Sequence, residues 1–130
     1  MNILLVDDSR FVRLANERGL VKAGYQVITA TDGEEGLRLA RKHKPDLVVL
    51  DMMLPKLSGP DVLRALRKNP ETSTIPVMVL TSLPQCNEGK LVSEGATSYF
   101  SKSGLMLDKG SDTFVEAVHR MLSKAQAAGV

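Results

Sequence analysis

The sequence predicts one α/β domain over residues 1–130, built on a doubly wound, five-stranded parallel sheet with five helices. Three observations carry that expectation. Short apolar runs rich in β-branched residues alternate with longer segments of helical period, and five such βα units can be counted. The runs Ile3-Leu4-Leu5-Val6 and Leu47-Val48-Val49-Leu50 have no polar face, as strands covered by helices on both sides require. A chain of 130 residues with 43% hydrophobic residues holds enough apolar material for one core of ordinary size and is too short for two.

Each element follows in order. After the first strand, Ser9 can cap a helix running to about Gly24, with Phe11, Leu14 and Val21 near one stripe. Gly24 stands where a helix often ends on a residue that tolerates positive φ. Tyr25 to Ala30 alternates around Val27 and Ile28, suiting a strand nearer the sheet edge, and Thr31-Asp32-Gly33 reads as a turn. Asp32 and Glu35 have capping-box spacing. The helix they start turns Leu37 and Ala40 inward and stops before Pro45, because a residue preceding proline disfavours helix. The third strand, Leu47 to Leu50, runs directly into Asp51.

After a loop from Met52 to Gly59, Pro60 can open a helix whose buried stripe is Val62, Leu63 and Leu66, and Pro70 marks its stop. Val77 to Leu80 forms the fourth strand and closes on Thr81. A helix over about Asn87 to Glu94 ends near Gly95. The fifth strand, around Ser98 to Ser101, delivers Lys102, and Val115, Val118, Leu122 and Ala125 repeat with the spacing of a last amphipathic helix.

Charge and composition exclude several functions. The balance of 17 basic and 15 acidic residues, +2, is scattered and too weak to imply direct binding to nucleic acid or to an anionic membrane. The basic run Arg41-Lys42-His43-Lys44 falls where a helix ends, and cations there complement the carbonyl end of its dipole. Cys86 has no second cysteine to bridge, and with only His43 and His119 beside it there is no spaced set of soft metal ligands. The N-terminal apolar run is cut off by Asp7 and Asp8, too early for a signal-peptide core or a membrane span. A reducing, cytoplasmic setting without membrane insertion is the expectation.

Chemistry collects at the carboxyl ends of the strands, where open parallel sheets bind ligands. Strand one ends in Asp7 and Asp8, strand three in Asp51, strand four in Thr81 and strand five in Lys102. Singly, each has an ordinary explanation as a cap, a turn residue or a solvated charge. Together they form a specific set. Three converging carboxylates repel one another and require a cation, and Mg²⁺ favours one or two carboxylates, several waters and a phosphate oxygen. Phosphoryl transfer needs positioning and charge neutralisation, which a lysine, a hydroxyl and a metal supply, and a carboxylate can itself be the nucleophile.

On these residues the chain resembles a bacterial response-regulator receiver domain of two-component signalling, of the single-domain chemotaxis-regulator type. The resemblance rests on Asp7-Asp8 in ILLVDDSR, Asp51 in DLVVLDMMLPKLSG, Thr81 in PVMVLTS and Lys102 in GATSYFSK, and it covers nearly the whole chain. It implies flavodoxin-like winding, strand order 2-1-3-4-5. It also implies that Asp51 accepts a phosphoryl group from the phosphohistidine of a sensor kinase or phosphotransfer protein. Asp8 and Asp51 would bind Mg²⁺ directly, Asp7 through water, and the Met53 carbonyl would be a further ligand. Lys102 would pair with a phosphoryl oxygen and Thr81 would hydrogen-bond another, after which Tyr99 would rotate inward. A downstream effector would read the face formed by the fourth helix, fifth strand and fifth helix. Such a domain catalyses only its own phosphorylation and dephosphorylation.

The chain departs from the family pattern in two respects. Ser103 and Gly104 follow Lys102 where the family usually has proline, often with a cis peptide. Met53 and Leu83 stand two residues after the phosphoacceptor and the threonine, where members that shed phosphate quickly carry polar residues; neither can orient water, which implies a long-lived phosphorylated state. The alternative function is a pseudo-receiver, an interaction domain of the same fold without phosphoryl transfer. An Mg²⁺-dependent phosphohydrolase would place its nucleophile on the first strand with an acid two residues on, where this chain has Ser9 or Arg10. A flavin-binding domain fits less well still, since the acidic first loop would repel a phosphate without metal. Both a stand-alone regulator and a receiver excised from a longer protein satisfy this sequence.

Overall fold

The computed structural model describes residues 1–51, 59–81, 98–101 and 115–123. Five strands, β1 (Asn2–Val6), β2 (Gln26–Ala30), β3 (Leu47–Asp51), β4 (Val77–Thr81) and β5 (Ser98–Ser101), pair in parallel in the order β2-β1-β3-β4-β5. That is the order expected for flavodoxin-like winding. Helices α1 (Arg10–Lys22), α2 (Gly33–His43) and α3 (Gly59–Lys68) follow the first three strands, and residues 115–123 are also helical. The helix expected over Asn87 to Glu94 lies outside the described residues, as do Ala125, Met53, Leu83, Lys102 and the Lys102-Ser103 peptide. No described helix is long and apolar enough to cross a membrane.

Period-two alternation along β1, β3 and β4 divides the core into two layers. Leu4, Val6, Val48, Leu50, Val77 and Val79 pack with Ala40 of α2 and with Val62, Leu63 and Leu66 of α3. Ile3, Leu5, Leu47, Val49, Met78 and Leu80 pack on the other side with Leu20 of α1 and with Val118, Met121 and Leu122 of the C-terminal helix. The sheet is therefore covered on both faces, which is why its central strands carry no polar face.

Helix α2 begins as its sequence indicates. Asp32 Oδ1 accepts the Glu35 N–H at 2.8 Å, while Glu35 Oε1 accepts the N–H of Thr31 at 3.2 Å, a reciprocal cap displaced by one residue from the usual box. Its last turn carries exposed Arg41, Lys42 and His43, and Lys44 closes it at φ 45°, just before buried Pro45. Gly36 presses this helix onto β1: a Cβ there would lie 2.8 Å from Val6 Cγ2.

Helix α1 departs from expectation. Gly24 does take the positive φ anticipated at its end, 102°. The inward stripe, however, is Asn16 and Leu20, both buried, whereas Phe11 is 83% and Val21 54% exposed, and Leu14 also faces solvent. Spacing establishes that Phe11, Leu14 and Val21 share a side; the packing of Leu20 against β1 and β3 shows that the opposite side meets the sheet.

At the far end of α3, beyond which Pro70 stands, Thr72 Oγ1 donates to the Leu66 carbonyl at 2.7 Å. Arg67 Nη1 donates to the carbonyls of Ser73 at 3.0 Å and Ile75 at 2.6 Å, and partial burial holds its pKa below the ordinary arginine value. These bonds pin the approach to β4.

A candidate acidic site at the carboxyl edge of the sheet

Register places the site. The chain passes from β1 outward to β2 and then returns to β3 on the other side of β1, so the winding reverses between β1 and β3. Val6 is level with Leu50, and Asp51 with Leu80. The residues that follow Val6 and Leu50 thus emerge side by side in the crevice where open α/β sheets hold their ligands.

Asp7 is fully buried, and its backbone N–H extends the β1–β2 ladder by donating to the Ala30 carbonyl at 3.1 Å. Its Oδ1 accepts the Ser9 N–H at 2.9 Å, and its carbonyl accepts Arg13 Nη1 at 2.9 Å. Ser9 sits at the cap position of α1, its carbonyl accepting the Arg13 N–H at 2.9 Å. Asp51 ends β3 and is 2% exposed, whereas Asp8 is exposed. One carboxylate oxygen from each of Asp7, Asp8 and Asp51 lies within 4.8 Å of the others.

Two buried carboxylates this close repel each other by about 3 kcal/mol at an effective dielectric near 20. A cation relieves that directly. The donors are hard oxygens with an exposed member on the solvent side, so the set fits a divalent ion that keeps part of its water shell, as Mg²⁺ does. It does not fit a soft metal, since no thiol or imidazole joins it among the described residues.

Three of the expected site residues are therefore brought together. Thr81 ends β4, one residue past the Asp51 level, and its backbone pairs with Ser101, the residue before Lys102. Tyr99 pairs with Val79 in the β5 backbone. Lys102 and Met53 lie outside the described residues. Arg13 was not legible in the sequence: a side chain returning to a carbonyl six residues earlier belongs to no local motif, and its only signal is a cation one turn into the helix that follows an acidic pair.

Comparison with known proteins agrees with this geometry. The family model for the response regulator receiver domain matches residues 3–107. Protein PilH of Pseudomonas aeruginosa is 41% identical over 103 residues, covering 77% of this chain and 84% of PilH. The alkaline phosphatase synthesis transcriptional regulatory protein PhoP of Bacillus subtilis is 43% identical over 101 residues, 77% of this chain but only 41% of PhoP. This chain spans about two fifths of the length of the first curated relatives it matches. Among solved structures, the chemotaxis protein CheY4 of Vibrio cholerae, crystallised at low pH, superposes with a TM-score of 0.82 at 28% identity, covering 92% of this chain and 97% of that one.

Proposed function

The chain belongs to the response regulator receiver domain family of two-component systems, and from that premise we propose that it accepts a phosphoryl group on Asp51 from a phosphohistidine of a partner kinase or phosphotransfer protein. The observation that supports this most directly is the convergence of Asp7, Asp8 and Asp51 at the reversal of the sheet, with Asp51 buried at a strand end. A P–O bond forms at an Asp51 carboxylate oxygen as the P–N bond to the donor imidazole breaks, and the imidazole leaves.

Asp8 and Asp51 would hold Mg²⁺, with Asp7 acting through water and the Met53 carbonyl as a further ligand. When bound, the ion neutralises carboxylate repulsion and charge on the transferred group. Asp7 is fixed by the ladder bond to Ala30 and by Ser9, which keeps its carboxylate at the pocket. Lys102 would pair with a phosphoryl oxygen, and Thr81 would donate to another as Tyr99 turns inward, altering the face an effector reads around β5. The domain catalyses no other reaction in this reading, and a phosphohistidine donor implies a cytoplasmic setting.

The test is intact mass after incubation with a small phosphodonor and Mg²⁺, beside Asp51→Asn. Gain of one phosphate by the wild type alone is expected; no gain, or gain by the variant, overturns the proposal. The phosphorylated form should persist, because Met53 and Leu83 offer no group to orient an attacking water. Rapid loss of phosphate in Mg²⁺ would contradict that.

A further inference from the structure

We infer that Arg13 is a positioning residue for the acidic pocket, holding the Asp7–Asp8 peptide so that the exposed Asp8 carboxylate stays within reach of a cation. The inference rests on the metal reading above and adds a residue to it. Asp7 and Asp51 need no such help: Asp51 belongs to β3, and Asp7 continues the ladder through Ala30. Asp8 is different, being exposed and beyond the end of β1. Asp8 lies between two peptides: the N–H of the one it shares with Ser9 is held by Asp7 Oδ1 at 2.9 Å, and the carbonyl of the one it shares with Asp7 receives Arg13 Nη1 at 2.9 Å.

Arg13 is itself well anchored. It shares a stripe with Asn16 and Leu20, at i, i+3 and i+7; both are buried, and Leu20 packs in the layer on β1 and β3. The guanidinium therefore transmits the packing of α1 to the peptide between the two first-strand acids. It also brings a positive charge close to the pocket, and this second effect has the opposite sign: a charge alone would weaken cation binding, whereas positioning strengthens it. The two roles separate by experiment.

Mg²⁺ alone is titrated calorimetrically into the full chain as wild type, Arg13→Met and Arg13→Lys, with metal-free thermal unfolding recorded for each. Loss of an outer-shell orienting bond typically lowers metal affinity 10- to 100-fold, so Arg13→Met is expected to bind Mg²⁺ about tenfold more weakly. Arg13→Lys, which keeps a donor and the charge, is expected to recover most of that loss. The Mg²⁺ concentration that half-saturates phosphorylation of Asp51 should rise about tenfold in Arg13→Met, in step with the weaker binding. Unchanged or tighter Mg²⁺ binding in Arg13→Met, or no recovery in Arg13→Lys, overturns the inference while leaving the metal reading intact. No Mg²⁺ binding by the wild type overturns both. Should Arg13→Met fail to fold, the shorter and neutral Arg13→Gln replaces it with the same expected direction.

Discussion

Helices α1 and α2 both flank β1, yet they are fixed to it by different means. Helix α2 is specified locally, through its Asp32 and Glu35 cap and through Gly36, which lets the helix backbone settle onto Val6. Helix α1 is oriented from a distance, by the bond from Arg13 to the Asp7 carbonyl and by Leu20 in the layer beneath. The difference teaches that a helix beside a functional edge can face that edge with a polar bond while leaving large apolar residues in solvent.

Substitutions can break that contrast. The largest effect is expected at Leu20→Ala, where truncation of a fully buried side chain costs about 2–5 kcal/mol in a denaturant titration, despite Leu20 having been absent from the stripe read in the sequence. Gly36→Ala is next, at about 1–3 kcal/mol, because the added methyl meets Val6 in a packed layer. Asp32→Ala, removing the cap of α2, should cost about 1 kcal/mol. Phe11→Ser should change stability by no more than about 0.5 kcal/mol, since its ring is largely exposed already. Equal losses for Phe11→Ser and Leu20→Ala would mean that α1 turns its other side to the sheet.

The acidic edge offers a test of another kind. In metal-free buffer near neutral pH, Asp51→Asn should raise the melting temperature, because one of the crowded charges disappears. Mg²⁺ at ten times its dissociation constant should then stabilise the wild type by about 1.4 kcal/mol through mass action, and the variant by much less. Destabilisation by Asp51→Asn under those conditions would show that repulsion does not dominate the pocket.

What could be read from the sequence was what short-range rules govern. The cap at Asp32 is visible because both partners lie within one turn, and the strand ends are visible because apolar runs stop abruptly at Asp7 and Asp51. Their meeting was legible as well, since parallel pairing of β1 with β3 brings those ends level. The rotation of α1 was not legible. Phe11, Leu14 and Val21 are as apolar as a buried stripe, and a buried Asn16 runs against composition; among the described residues it is the packing of Leu20 and the Arg13 bond that mark the side meeting the sheet.

The level register of β1 and β3 has a further consequence. If β3 slipped by one residue, Asp51 would travel about 3.3 Å along the strand, and Leu47 and Val49 would exchange sides with Val48 and Leu50. Both oily layers would have to be rebuilt for the carboxylate to stray that far. The greasy interior thus serves as the ruler against which the rim is set, and the spacing of the charged groups is inherited from side chains that never touch water.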